Sequence, residues 1–172
     1  QRVDDGDDDD DNDLDEVDDV AETLWSFYRL VHLIFDFYAA QSSGGGLDSI
    51  TLNPYADFVR DAKILVEKSS TCSSNHLDML FIAVNANNKE LSAKDKEQGK
   101  VADRTLDRCE FTDALVRMAI MKYVQTKEIP DVSTALAHMF EHDIRPNLDV
   151  AALLDPNHDT RTARRFYNEE VD

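Results

Sequence analysis

The chain has 172 residues and a formal net charge of -18, and 42% of its residues are hydrophobic, enough for one buried core plus polar tails. Twelve of the 36 acidic residues crowd into the first 20 positions against the single Arg2, so the start is a polyanion and the body only mildly acidic. That balance argues against nucleic acid and anionic membranes as main partners, because both call for a Lys/Arg surface, and it suits a basic protein segment or divalent cations.

Eight of positions 1–13 are Asp, and the sequence reads 1–19 as an acidic tail that is disordered when alone. Apolar residues then recur at spacings of three and four from Val17 to Tyr38, predicting one helix over 17–38. Trp25, Leu30, Leu33 and Phe37 add apolar character on its other faces. Ser and Gly residues over 41–49 break it, and Ser49-Ile50-Thr51-Leu52 reads as a short β-like run. Asn53 as cap and Pro54 in the first turn open a second helix striped by Tyr55, Phe58, Val59 and Ala62.

A polar connector leads to a short helix that Ser73 or Ser74 caps, carrying Leu77, Leu80, Phe81 and Val84. Positions from about 85 to 104 read as a long inserted loop, unusual inside a compact domain. The strongest helix runs over 107–123, with Phe111, Ala114, Leu115 and Met118 on one face. Asp131 caps a fifth helix striped by Val132, Ala135, Leu136, Met139 and Phe140, and Pro146 is expected to stop it. A helical turn over 149–154 and a basic-then-acidic helix from Thr160 complete a C-terminal extension over 129–172.

Two places in the core region, 20–128, share one grammar. Phe35-Asp36-Phe37-Tyr38 enters a loop, Ile50 is its β-like residue, and Pro54-Tyr55 follows four residues on. Leu80-Phe81, Leu106 and Glu110-Phe111 repeat the order. This resembles a pair of EF-hands, the calmodulin-type fold, over roughly 22–125. The resemblance implies an all-α fold of paired helix-loop-helix units, joined by a small β link between the loops, with additional C-terminal helices.

A working calcium loop needs oxygen ligands at positions 1, 3 and 5, Gly at 6 and a bidentate Glu at 12. With Ile50 as position 8, Ser43, Gly45 and Leu47 stand at the ligand positions, Asp48 at the Gly position and Pro54 at the Glu position. With Leu106 as position 8, they are Gly99, Val101 and Asp103, then Arg104, with Glu110 surviving at the last. Neither loop is expected to bind calcium in the family's manner. The opening Arg108-Cys109-Glu110-Phe111 followed by Leu115-Val116-Arg117-Met118-Ala119 is also similar to degenerate hands in ciliary and cytoskeletal proteins of protists.

Three further constellations have a plain reading beside the chemical one. Asp7, Asp9, Asp11 and Asp18 can be framed as a calcium loop with Asn12 at the turn, though a solvated acidic tail explains them as well. His138-Met139-Phe140-Glu141-His142 spells H-x-x-E-H, the pattern of one zinc peptidase class. The His and Glu lie opposite the apolar stripe, toward solvent, and only 30 residues follow to supply a third ligand. Arg161, Arg164 and Arg165 form a small basic patch.

Cys72 and Cys109 match no metal spacing, which points to a reducing, cytoplasmic setting. The chain does not begin with Met, and the echo of Asp15-Glu16-Val17-Asp18 in Glu169-Glu170-Val171-Asp172 suits one part of a longer, multi-module protein. The expectation is a non-enzymatic structural protein of a ciliary or cytoskeletal assembly, without cofactor. Its partner groove for a helix is lined by Trp25, Tyr28, Phe35, Phe58, Leu115 and Met118, residues that plain core packing explains equally. A calcium sensor with unusual loops is the alternative, and a zinc hydrolase using His138, Glu141 and His142 the weaker one.

Overall fold

The computed structural model describes residues 9–42, 47–88 and 104–149. Their regular elements are helices and one short ladder. In chain order they form α1 (Asp9–Ser26), α2 (Tyr28–Ala39), β1 (Ile50–Thr51), α3 (Leu52–Asp61), α4 (Ser74–Asn88), β2 (Thr105–Leu106), α5 (Arg108–Ala119), α6 (Val132–His138) and a last turn α7 (Arg145–Asn147). Two π turns, Ile120–Val124 and Met139–Ile144, continue α5 and α6.

The expected link between the loops is present. β1 and β2 pair antiparallel, with Ile50 opposite Leu106 and Thr51 opposite Thr105. Both Ile50 and Leu106 are fully buried, so the ladder is the roof of the core rather than a surface decoration. Beneath it, helices α2 to α5 converge through aromatic rings. Phe111 lies 5.8 Å from Phe35 and 5.3 Å from Phe58, and Tyr38 lies 5.5 Å from Phe58, all edge-on.

Three tyrosine hydroxyls tie the helices together. Tyr38 donates to Asp61 Oδ2 at 3.0 Å, across the first loop. Tyr55 donates to the Leu77 carbonyl at 3.0 Å, from α3 to α4. Tyr123 donates to Asp143 Oδ2 at 2.6 Å, across the C-terminal hairpin. Burial above all, then nearby carboxylates (Asp61, Asp78 and Asp143), holds all three hydroxyls well above the ordinary value of 10.0. In the unfolded chain they ionise from about pH 10, whereas the folded chain keeps its protons, so stability is intact below that pH and falls above it. The unfolding free energy from urea titrations is expected to drop steeply between pH 10 and 12, by up to about 1.4 kcal/mol per pH unit for each tyrosine that stays out of water. A flat profile there would mean that these hydroxyls reach water.

Five features depart from the sequence expectation, one being that α3 opens at Leu52 with Thr51 at its cap, so Asn53 lies inside the helix. The first helix starts inside the acidic segment, at Asp9, because helix N-termini welcome carboxylates and because Val20 and Leu24 pack the other end of α1 onto the core. The expected helix over 17–38 is split at Phe27, whose φ of -101° and ψ of 8° leave the helical region. The split lets two apolar faces serve two neighbours. α1 lies along α6, with Phe27 stacked on Phe140 at 4.5 Å, while α2 turns into the loop-helix pair. α4 runs to Asn88, into the expected loop, because Asn85 is buried by a polar contact that no apolar pattern announces. Pro146 is absorbed into the last turn instead of stopping the helix, since the wider π turn ahead leaves room for its ring. The elements expected over 150–172 lie outside the described residues.

α3 ends in a Schellman motif. Lys63 adopts φ 53°, its amide bonds the Arg60 carbonyl at 3.1 Å, and the Ile64 amide reaches the Val59 carbonyl at 3.0 Å. The π turn after α5 ends the same way at Lys127, φ 62°, with Glu128 bonding the Tyr123 carbonyl at 3.0 Å. Lysine stands in both places where glycine is usual. At the start of α6, hydrogen bonds from Thr134 hold the Asp131 carboxyl below the usual carboxylate range, the sign of a working cap.

Candidate functional site

The paired loops are the first place to look. The base of each is closed by a side chain of its incoming helix. Ser42 Oγ, just past α2, accepts from the Thr51 amide at 2.9 Å. Asn85 Nδ2, on α4, donates to the Thr105 carbonyl at 2.6 Å. Each bond ties the strand of a loop to the end of the helix that enters it. Ser42 and Asn85 carry no motif in the sequence, and only their position in space reveals the role.

Glu110 is fully buried at the start of α5. Its Oε2 accepts from the Asp107 amide at 2.8 Å, and Asp107 Oδ1 accepts from the Glu110 amide at 2.9 Å. This reciprocal capping box satisfies two amides of the helix end. One oxygen of the carboxylate at the loop's last position is therefore engaged by the helix end. Arg104, at the position that wants glycine, is exposed. Ser43, Gly45, Gly99, Val101 and Asp103, the other loop positions framed as ligands, lie outside the described residues.

Arg108 joins the two loop units. Its guanidinium pairs with Asp36 at 2.6 Å, donates to His32 Nδ1 at 3.0 Å and lies 4.7 Å over the Phe35 ring. The sequence alone marks it as part of an Arg-x-Glu-Phe opening, without showing its reach to α2. A shallow hollow between the first loop and α5 is lined by Leu47, Asp48, Asp107, Arg108 and Cys109 and is open to solvent.

The structure does not gather the six groove residues on one surface. Phe35, Phe58, Leu115 and Met118 are buried in the core, while Trp25 and Tyr28 are exposed. α6 lies against both α1 and α5, so the chain's own helix covers the face on which a partner helix would lie.

The Asp frame is not a loop. The backbone is helical from Asp9 through Asp18, and a straight helix cannot wrap an ion; Asp7 lies outside the described residues. In the H-x-x-E-H segment, His138 is half-buried, and Glu141 and His142 are exposed. The two imidazole rings meet at a tilt with centroids 4.2 Å apart, and Glu141 pairs with Arg145 at 2.6 Å. Among the described residues no three His, Cys, Asp or Glu side chains are grouped to hold a metal ion.

A buried polar node lies on the facing π turns. Lys122 Nζ touches Asp143 Oδ2 at 2.9 Å and the Lys63 carbonyl at 3.0 Å, and both charged side chains are largely withdrawn from water. Cys72 is buried nearby, donates to the Ile64 carbonyl at 3.4 Å, and has its thiol pushed up by burial, which makes it a poor nucleophile. Cys109 is a free, exposed thiol. No helix among the described residues is long and apolar enough to cross a membrane.

No protein-family model, curated protein or solved structure matches this chain.

Proposed function

We propose that the chain is a non-catalytic interaction module: two EF-hand-like units that keep the pairing of a calcium-binding pair without its ion. The observation that carries this reading is the Ile50–Leu106 pairing between two helix-loop-helix units, one of which has its terminal Glu110 turned into a capping box. Ser42 and Asn85 support it further, because they close the loop bases without a cation. Such a unit is held in one shape constitutively, which suits a scaffold better than a switch. The class of assembly, ciliary or cytoskeletal, is supported by the sequence resemblance around 108–119 alone.

Calorimetric titration with calcium tests the first part. No saturable heat is expected up to millimolar calcium. Micromolar binding would instead favour the calcium-sensor reading, with Glu110 leaving its cap for the ion. Immunofluorescence in the source cells tests the second part, and exclusion from axoneme and cytoskeleton would refute it.

A further inference from the structure

α1 has two unlike sides. Val20, Leu24 and the following Phe27 face the core, where α6 lies. The flank beside that face carries Val17, Ala21 and Trp25, continued past the break by Tyr28 of α2, spaced by four, four and three residues, all exposed. Trp25 is 78% exposed and Val17 65%, values that packing within the chain does not explain. Trp25 and Tyr28 stack with centroids 5.6 Å apart, and the His32 ring lies tilted against Tyr28 at 4.3 Å, so the aromatic surface continues from α1 onto the start of α2.

Asp15, Asp18, Asp19 and Glu22 border this strip and are exposed. None of the ion pairs among the described residues uses them; the arginines and the buried lysine that form such pairs engage acids elsewhere. The strip therefore offers aromatic faces and unneutralised carboxylates side by side. Asp15 with Asp19, and Asp18 with Glu22, also stand as like-charge neighbours one turn apart, an arrangement that disfavours the helix until a cation covers it.

We propose that the outward face of α1 is a docking strip for a Lys/Arg-rich amphipathic helix of another protein. Its apolar residues cover Val17, Ala21 and Tyr28, and its cations lie over Trp25 and against Asp18 and Glu22. Charge complementarity selects this occupant. Guanidinium and ammonium groups are the one side-chain chemistry that both an indole face and a carboxylate attract. A second copy of the chain is disfavoured, since each copy carries a net charge of -18. Arg29, exposed just beyond Trp25, closes the strip at one end. The proposal deepens the interaction-module reading and names the kind of partner it takes.

Trp25 is the only tryptophan in the chain, so its emission reports on the strip directly. The experiment titrates the full chain with a tryptophan-free amphipathic peptide helix of Leu, Lys and Arg. The expected result is a saturable blue shift at micromolar peptide that weakens as salt rises, and no shift with a Leu/Glu counterpart. Anisotropy of the labelled peptide should show about tenfold weaker binding to Trp25→Ala and to Asp18→Asn/Glu22→Gln. Circular dichroism should show that both variants keep their helices, because the altered side chains face solvent.

Four results would overturn the proposal. One is no shift at saturating peptide. Another is binding that ignores Trp25→Ala but disappears when residues 1–8 are removed, which assigns it to the acidic terminus alone. A third is free-chain emission that is already blue and reddens when residues 160–172 are removed, which makes the chain's own basic segment the occupant. The last is a blue shift that follows chain concentration, which makes the occupant a second copy. Calcium binding, by contrast, would overturn the scaffold reading and leave the strip standing.

Discussion

Replacing Phe111 by alanine is expected to remove about 3–5 kcal/mol of stability, the range for a buried phenylalanine whose cavity cannot fully collapse. Phe111 is fully buried and opens α5 directly after the capping box. Its ring contacts Phe35 of the first unit's entering helix and Phe58 of its exiting helix, so one side chain closes the seam between both units. Neither neighbour can move in to fill the space, because Phe58 is also braced by Tyr38 and Phe35 by the Arg108 guanidinium. Set against a total of roughly 5–15 kcal/mol for a domain of this kind, that loss is a large fraction. Urea titration followed by circular dichroism checks it. A cost below about 1 kcal/mol would mean that the two units are not packed on one core.

Asp143→Ala is expected to cost about 3–5 kcal/mol for a different reason. The Lys122 and Asp143 side chains are 12% and 14% exposed, so removing the carboxylate strands an ammonium group in a dry seam. It also takes away the acceptor of the Tyr123 hydroxyl. The cost thus lies in the charge left behind rather than in the pair itself. A triple variant, Lys122→Met, Tyr123→Phe and Asp143→Leu, replaces the whole node by apolar groups and should return to within about 1–2 kcal/mol of the wild type. If the triple variant is as unstable as Asp143→Ala, the node supplies net stability and the desolvation argument fails. Because Lys122 also holds the Lys63 carbonyl at the end of α3, both variants report on how the C-terminal hairpin is fastened to the loop pair.

Helix existence was legible wherever apolar residues recur every three or four positions, as in α2, α3 and α5, because such a stripe must face a core. The loop pairing was legible too. Ile50 and Leu106 stand at matching places in two similar strings, and the structure sets them opposite each other. Polar contacts were not legible. Ser42 and Asn85 look like any loop-flanking polar residues, and Lys63 and Lys127 end helices in a conformation that the sequence would flag only with glycine. The π turns carry no residue signature, yet they carry Lys122, Tyr123 and Asp143, the residues of the buried node. The groove residues show the same limit. An aromatic on an amphipathic helix reads alike whether it meets a partner or the chain's own core, and α6 decided that question for one face.

By itself, then, the sequence determined the acidic charge, the helical stripes and the cap at Asp131. These are local properties, set by residue type and spacing along the chain. Only the tertiary structure decided where the chain kinks at Phe27, which aromatics are covered, and that Trp25 stays outside. Those outcomes depend on which helix comes to lie against which, and distant elements compete for the same apolar face in ways that no local pattern records.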